Sequence, residues 1–216
     1  MGLLLEGLSM DAEKFWDKAA EKYAKSSVGN EAVYQEKLEA TQKYFNAESV
    51  VLELGCGTGT TSIHHAPAVK HILATDISNN MLDIGRRRAS EAGVENVTFQ
   101  QATVENLEAD LASFDVVLAL NILHLIDDPA GVVNKVSALL KPGGVFVTGT
   151  PCLGDVLINY YRILIPILRL IGKVPPVHYI KRSELESSFA DAGLEIEFQR
   201  PPIKGEVAFI IVKKPV

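Results

Sequence analysis

The chain has 216 residues, 47% of them hydrophobic and 22% charged, which fits one soluble globular domain over 1–216 with enough apolar content for a substantial core. A formal charge of −6 argues against nucleic acid as the main partner, because phosphate binding takes a broad basic surface. Its two cysteines, Cys56 and Cys152, lie far apart and outside any CxxC or Cys/His cluster, so neither a disulfide framework nor a metal site is indicated, and the cytoplasm is the expected compartment.

The opening MGLLLEGLSM has no basic leader and Glu6 breaks its apolar run, so it reads as a frayed terminus and not as a secretory signal. From 11 to 45 the pattern is helical. Phe15, Trp16, Ala19, Ala20 and Tyr23 return at spacings of three and four, and an interruption at SSVGN predicts two amphipathic helices ahead of any strand. Strand-like runs follow at 49–54, 71–76, 97–101, 114–120 and 145–149, separated by helix-sized gaps. That alternation predicts right-handed crossovers and a parallel sheet. Ser78 and Gly93 frame one intervening helix, and Asp128 with Pro129 opens another. The capping-box spacing Ser183-x-x-Glu186 is expected to open a last helix that ends near Gly193. Runs at 194–199 and 207–212, joined by RPPIKGE, predict a closing antiparallel hairpin.

VLELGCGTGT places Gly55, Gly57 and Gly59 directly after the first strand. In an open parallel sheet, ligands bind beyond the carboxyl ends of the strands where strand order reverses. A turn without Cβ atoms lets backbone N–H groups and a helix N-terminus approach a bound molecule there. A tight strand-to-helix turn would by itself account for one glycine, not three. The dinucleotide pattern G-x-G-x-x-G/A is not met: the third glycine comes one position early and Thr60 stands where the last Gly or Ala belongs. The stretch Glu53-Leu54-Gly55-Cys56-Gly57-Thr58-Gly59 instead resembles the E/D-x-G-x-G-x-G signature of class I S-adenosylmethionine-dependent methyltransferases of small-molecule type, and the resemblance runs from about Trp16 to the C-terminus. It implies an α/β fold: a Rossmann-like, doubly wound, seven-stranded sheet with a C-terminal antiparallel hairpin and N-terminal helices. The implied parts are a helical cap over 11–47, a cofactor-binding core over 48–150, a substrate lid insert over 151–183, and the last helix and hairpin over 184–216.

The resemblance also implies S-adenosylmethionine as cofactor, with S-adenosylhomocysteine as product, held by Gly55, Cys56, Gly57 and Gly59. Asp76, which ends ILATD about 20 residues after the glycine turn, would take both ribose hydroxyls. Ile77 and Met81, in a stretch similar to D-x-S-x-x-M-L, would pack against the adenine. Thr103 stands where the family usually has an acid for the adenine amino group, with the backbone from Ala102 to Val104 available to read the ring edge. The main chain of Asn121 would face the methionine part, and Glu53 would act at the same end or by holding the glycine loop. A sulfonium already activates its methyl group, so alignment is the main demand on the protein, and a base is needed only if the acceptor must lose a proton. His124, in NILHLIDDP, is the candidate base by its similarity to the N-x-L-H pattern, with a packing role as the alternative. His178 and Tyr179 are further candidates. His64 and His65 are expected to face solvent.

The insert at 156–183 carries Arg162, Arg169, Lys173, Lys181 and Arg182 with no acid, in a chain of net negative charge. Asn159, Arg162, Pro166 and Arg169 interrupt its apolar run, which falls short of the about 20 consecutive residues that cross a bilayer. Two readings stay open: an interfacial helix or lid over an amphiphilic acceptor, with peripheral membrane contact, or a lid helix whose arginines are simply solvated. Trp16, Tyr23, Tyr160 and Tyr161 would line the acceptor pocket. The leading expectation is methyl transfer to O, N or C of a small hydrophobic or amphiphilic molecule by a monomer or homodimer. The alternatives are a nucleic-acid methyltransferase, although the N/D-P-P-Y/F motif is absent, a module that holds the cofactor without turnover or docks on a membrane, and a dehydrogenase.

Overall fold

The computed structural model describes residues 2–26, 30–155, 174–201 and 207–216, with backbone alone over 2–11. Helices α1 (Gly2–Ala24) and α2 (Glu31–Gln42) precede the first strand. Then come β1 (Val50–Leu54), α3 (Thr60–His65), β2 (His71–Asp76), α4 (Asn79–Glu91), β3 (Val97–Gln101) and β4 (Phe114–Leu120). The second half holds α5 (Pro129–Leu139), β5 (Leu140–Thr150), α6 (Arg182–Asp191), β6 (Glu195–Gln199) and β7 (Ala208–Lys213).

The strands form one seven-stranded sheet in the order β3-β2-β1-β4-β5-β7-β6. The first five are parallel, and β7 runs antiparallel to both β5 and β6. This is the doubly wound sheet with a closing antiparallel pair that the sequence predicts. Strand order reverses at β1 and β4, so the crevice beyond their carboxyl ends is the place for a ligand. Period-two alternation along the strands splits the core into two layers. Leu52 and Leu54 of β1 face Val133 of α5 and Phe189 of α6, whereas Val51 faces Leu82 of α4 and Phe45.

The local helix signals hold where the sequence places them. Ser78 Oγ accepts the Met81 N–H at 3.1 Å, Asp128 Oδ1 accepts the Gly131 N–H at 2.9 Å, and Gly93 stops α4 at φ +66°. Two ends differ. The opening residues are not frayed: α1 is helical from Gly2, consistent with a leucine-rich stretch that contains no proline. The last helix starts at Arg182, upstream of the predicted cap at Ser183, because its first donors find other partners. Glu184 accepts the Lys181 N–H at 3.0 Å, and Asp155, 27 residues away in the chain, accepts the Arg182 N–H at 2.9 Å.

His65 also departs from expectation. His64 is exposed as predicted, but His65 is fully buried, edge-on to Phe45 at 4.9 Å between ring centroids, and neither of its ring nitrogens has a hydrogen-bond partner. The reason is the short helix α3: Ser62 and His65, three apart, share the face that docks on the sheet. Burial, and secondarily the charge of His64, pulls the His65 pKa down from 6.5 to about 3. Between those two values the unfolded chain binds a proton that the folded chain refuses, so this residue makes stability fall as pH drops below 6.5. His65→Leu is therefore expected to gain about 2 kcal/mol relative to wild type on going from pH 7 to pH 5, measured as the difference in urea unfolding free energy. Identical pH dependence in the two proteins would rule out this assignment.

Candidate functional site

Three glycines build the turn between β1 and α3, and each is required for a different reason. All have positive φ: Gly55 +65°, Gly57 +53° and Gly59 +73°. A Cβ on Gly55 would stand 2.7 Å from Ile122 Cδ1, and one on Gly59 would stand 2.7 Å from the Phe99 ring. Packing within the protein therefore explains those two. A Cβ on Gly57 would meet only the Tyr23 ring, at an ordinary 3.6 Å, so at Gly57 the positive φ and not a packing clash calls for glycine. The turn is closed by Gly59 N–H to the Cys56 carbonyl (3.0 Å) and joined to β2 by Cys56 N–H to the Thr75 carbonyl (2.9 Å). The Cys56 thiol is buried, and burial raises its pKa well above the ordinary thiol value.

Two acids flank this turn. Asp76, at the end of β2, accepts the Gly57 N–H at 2.8 Å and the Ser78 N–H at 2.9 Å. Burial pushes its pKa up, the bonds from Ser78, Gly57 and Ile77 pull it down, and Asp17 adds to the upward push. An ionised carboxylate has about four acceptor positions, so Asp76 retains capacity for a further donor. Glu53, on β1, is 3% exposed and raised to about 7 by burial, opposed by its hydrogen bond from Ser62 and reinforced by Asp76. Ser62 Oγ donates to Glu53 Oε2, which fixes the first turn of α3 to the strand. Of the two roles open to Glu53, holding the glycine loop is the one its contacts support.

Helix α1 lies along this site. Asp17 Oδ1 accepts the Ser78 hydroxyl (2.6 Å) and the Asn80 N–H (3.2 Å), and so adds a second cap to α4. Gln101 Nε2 donates to Glu13 at 3.0 Å and to the Ile77 carbonyl at 2.9 Å, which ties α1 to the ends of β2 and β3. Trp16 packs with Ala20, Met81 and Ile84 and stands edge-on to Tyr23 at 6.1 Å. Tyr23, 49% exposed, has its pKa raised by burial and then by Asp76 and Glu53. Two predicted roles shift in consequence. Tyr23 faces the glycine turn at Gly57. Met81 is 2% exposed beneath α1, so its side chain is core and not a wall open to a base. Ala102 and Val104 are buried, with Ala102 N–H on the Asp76 carbonyl at 3.0 Å. Thr103 exchanges bonds with Asn106, N–H to Oδ1 at 2.7 Å and Oγ1 from N–H at 3.2 Å, so its hydroxyl already accepts one bond.

At the end of β4, Asn121 adopts φ +60° with its N–H on the Gly149 carbonyl at 2.6 Å, a left-handed conformation of the kind that clusters at functional sites. A 3₁₀ turn over Leu123–Leu125 follows and carries His124. The His178 N–H donates to the His124 carbonyl at 2.7 Å, so the structure joins these two sequence candidates. Burial, then the charge of His178, lowers the His124 pKa to about 4, and its Nδ1 is buried without a partner. His178 Nε2 is 3.0 Å from Asp127 Oδ1 but lacks hydrogen-bond alignment, so the contact is an ion pair only when the imidazole is protonated. Tyr179 is half-buried beside it. Tyr160, Tyr161 and 156–173 lie outside the described residues. Among those described, no helix is long and apolar enough to cross a membrane. An open depression of about 630 Å³, lined by Leu107, Lys135 and Leu139, lies at the amino ends of β4 and β5, away from the glycine turn.

A doubly wound sheet with a glycine turn at its switch point, and an acid on the neighbouring strand, defines a nucleoside-binding domain. Residues 51–144 match the family model described as a methyltransferase domain. The chain is 36% identical over 101 residues to the uncharacterized methyltransferase YcgJ of Bacillus subtilis, covering 47% of this chain and 40% of that one. It is 32% identical over 155 residues to a ubiquinone biosynthesis O-methyltransferase of Xanthomonas axonopodis pv. citri, covering 68% and 63%. Hence it spans from about two fifths to under two thirds of the length of these relatives. The crystal structure of YcgJ superposes with a TM-score of 0.70 at 21% identity, covering 84% of this chain and 99% of that one. An S-adenosylmethionine-dependent methyltransferase from Mesorhizobium loti superposes with a TM-score of 0.69 at 19% identity, covering 83% and 96%. Residues 51–144 are thus a methyltransferase domain, and the chain has the fold of class I S-adenosylmethionine-dependent methyltransferases.

Sequence reading missed Ser62, Asp17, Gln101 and Asp127, all polar residues whose partners lie elsewhere in the chain. Asp127 alone had a local hint, its place in NILHLIDDP three residues after His124. The geometry of the turn yields a stability comparison. Gly59→Ala adds a steric clash with Phe99 to its positive φ, whereas Gly93→Ala, at φ +66° with nothing within 4 Å, incurs the backbone cost alone. Chemical denaturation is expected to show a loss of about 1 kcal/mol for Gly93→Ala and about 2 to 3 kcal/mol for Gly59→Ala. Equal losses would mean that the Phe99 contact is not a constraint.

Proposed function

We propose that the chain is an enzyme that binds S-adenosylmethionine at the β1–β4 switch point and transfers its methyl group to a small hydrophobic or amphiphilic acceptor. The observation that carries this reading is Asp76, which holds the Gly57 N–H while keeping acceptor capacity toward the crevice. That arrangement suits a ribose diol beside bare backbone. Fit to the cofactor rests also on Gly57, which has no Cβ to intrude on a bound molecule and no neighbour closer than the Tyr23 ring in the direction a Cβ would take. When bound, the cofactor supplies a methyl group on a sulfonium. The protein's share is to grip the ribose with Asp76, fix the turn through Glu53 and Ser62, and exclude water with α1. The name of the Xanthomonas relative supports a small-molecule oxygen acceptor.

His124 is neutral above about pH 4, so its ring can accept a proton across the physiological range. A base this weak suits an acceptor that is itself acidic, such as a phenol or enol, or one that needs little deprotonation. His178 and Tyr179 would border the acceptor from the segment before α6. Cofactor binding is tested by calorimetric titration of S-adenosylhomocysteine: Asp76→Asn is expected to weaken it about tenfold or more, since a charge-assisted bond to the ribose is lost. Unchanged affinity would remove Asp76 from the site. For the acceptor, incubation with methyl-labelled cofactor and a cell extract of lipids and metabolites is expected to label a small molecule, and label confined to added RNA would overturn this assignment. With the labelled acceptor in hand, the rate is expected to show no decline attributable to His124 between pH 8 and 6, and His124→Gln to lower kcat about 100-fold. A change below threefold would assign His124 to packing.

A further inference from the structure

We propose that Arg88 is a positioning residue for the cofactor, coupling the glycine turn to the helix that covers it. The inference rests on the cofactor reading above but concerns a residue which neither the glycine motif nor the Asp76 strand end contains. Arg88 projects from the last turn of α4 and spreads one guanidinium over two structures. Its Nη1 donates to Thr58 Oγ1 at 2.8 Å and to Thr60 Oγ1 at 3.2 Å, both in or beside the glycine turn. Its Nη2 donates to the carbonyl of Ala24, the last residue of α1, at 2.6 Å.

Each half of this fork has a physical rationale. The last carbonyls of a helix have no partner within the helix and carry partial negative charge, so a guanidinium there both satisfies and stabilises the end of α1. Its rigid planar donor set can hold two separate acceptor groups at fixed separation, which a flexible ammonium cannot. Tyr23 immediately precedes Ala24, and its ring is the group that faces Gly57. Arg88 thus holds both sides of this contact: the turn through Thr58 and Thr60, and the Tyr23 ring through the Ala24 carbonyl. About two turns before Ala24, α1 is anchored to the loop after Asp76 and the start of α4, where Asp17 meets Ser78 and Asn80. Helix α1 therefore spans the two loops that would grip the nucleoside, and Arg88 makes its docking and the shape of the turn one event. By linkage, a cofactor that fits the ordered turn tightens α1, and a docked α1 tightens the cofactor.

Trp16 is the sole tryptophan of the chain and sits on α1 against Met81, so its emission reports docking of the helix. The experiment follows S-adenosylhomocysteine affinity by calorimetry, and acrylamide quenching of Trp16 with and without that ligand, in wild type, Arg88→Met, Arg88→Lys and the exposed control Arg87→Ala. Wild type and Arg87→Ala are expected to bind equally and to show reduced quenching on binding. Arg88→Met is expected to lose about tenfold or more in affinity together with the ligand-induced protection of Trp16, and Arg88→Lys to recover part of both. A folded Arg88→Met that binds and protects Trp16 as wild type does overturns the inference. If Arg88→Met does not fold, Arg88→Lys and Thr58→Val decide: a loss of about threefold or more in each supports the coupling, and wild-type affinity in both overturns it. Wild type that fails to bind S-adenosylhomocysteine sinks the cofactor reading itself, and this inference with it.

Discussion

The site depends on the hydrogen bond from the Gly57 N–H in the turn to the Asp76 carboxylate at the end of β2. The Cys56 N–H on the Thr75 carbonyl ties the two backbones together, but only the Gly57 bond ties the turn to the acid itself. With it, the bare backbone and the acid keep a fixed spacing, and the cleft between β1 and β4 acquires one shape. The parallel register of β1 against β2, which pairs Leu54 with Thr75, delivers the two groups to the same height. The bond is thus a product of sheet topology, and its chemistry follows from its place at the switch point.

Glu53 supports the same geometry from below. Buried so completely, it is raised to about 7. Asp76 contributes to that rise, so the two acids share an electrostatic strain that a nearby positive group would relieve. A sulfonium ligand carries such a charge. In the proposed site a cationic cofactor would meet carboxylates whose burial is costly in its absence, which would link binding to local stability through them.

Much of this was legible in the sequence because it is local. The glycine spacing, the acid ending ILATD, the caps at Ser78 and Asp128 and the strand periodicities are each contained within a few residues, and the sheet follows from their alternation. What escaped was non-local. Asp17 caps a helix 61 residues further along the chain, and Asp155 opens one 27 residues on; neither signal exists before the chain is folded. His65 was placed outside on polarity, but the docking of a six-residue helix decided its direction. Met81 was assigned to a ligand wall by motif, whereas the covering helix made it core. In each case a partner distant in sequence overrode a correct local reading.

The interior position of β7 bears on synthesis. Residues 208–213 fill the slot between β5 and β6, with Phe209, Ile210, Ile211 and Val212 almost entirely removed from water. During translation β5 and β6 emerge first; β5 can pair with β4, but its other edge stays open and β6 has no partner until this late segment arrives. Until then the nascent chain presents an open, apolar strand edge of the kind that recruits chaperones or aggregates. Completion of the sheet is thereby deferred to the last strand, even though the five parallel strands all lie upstream of it.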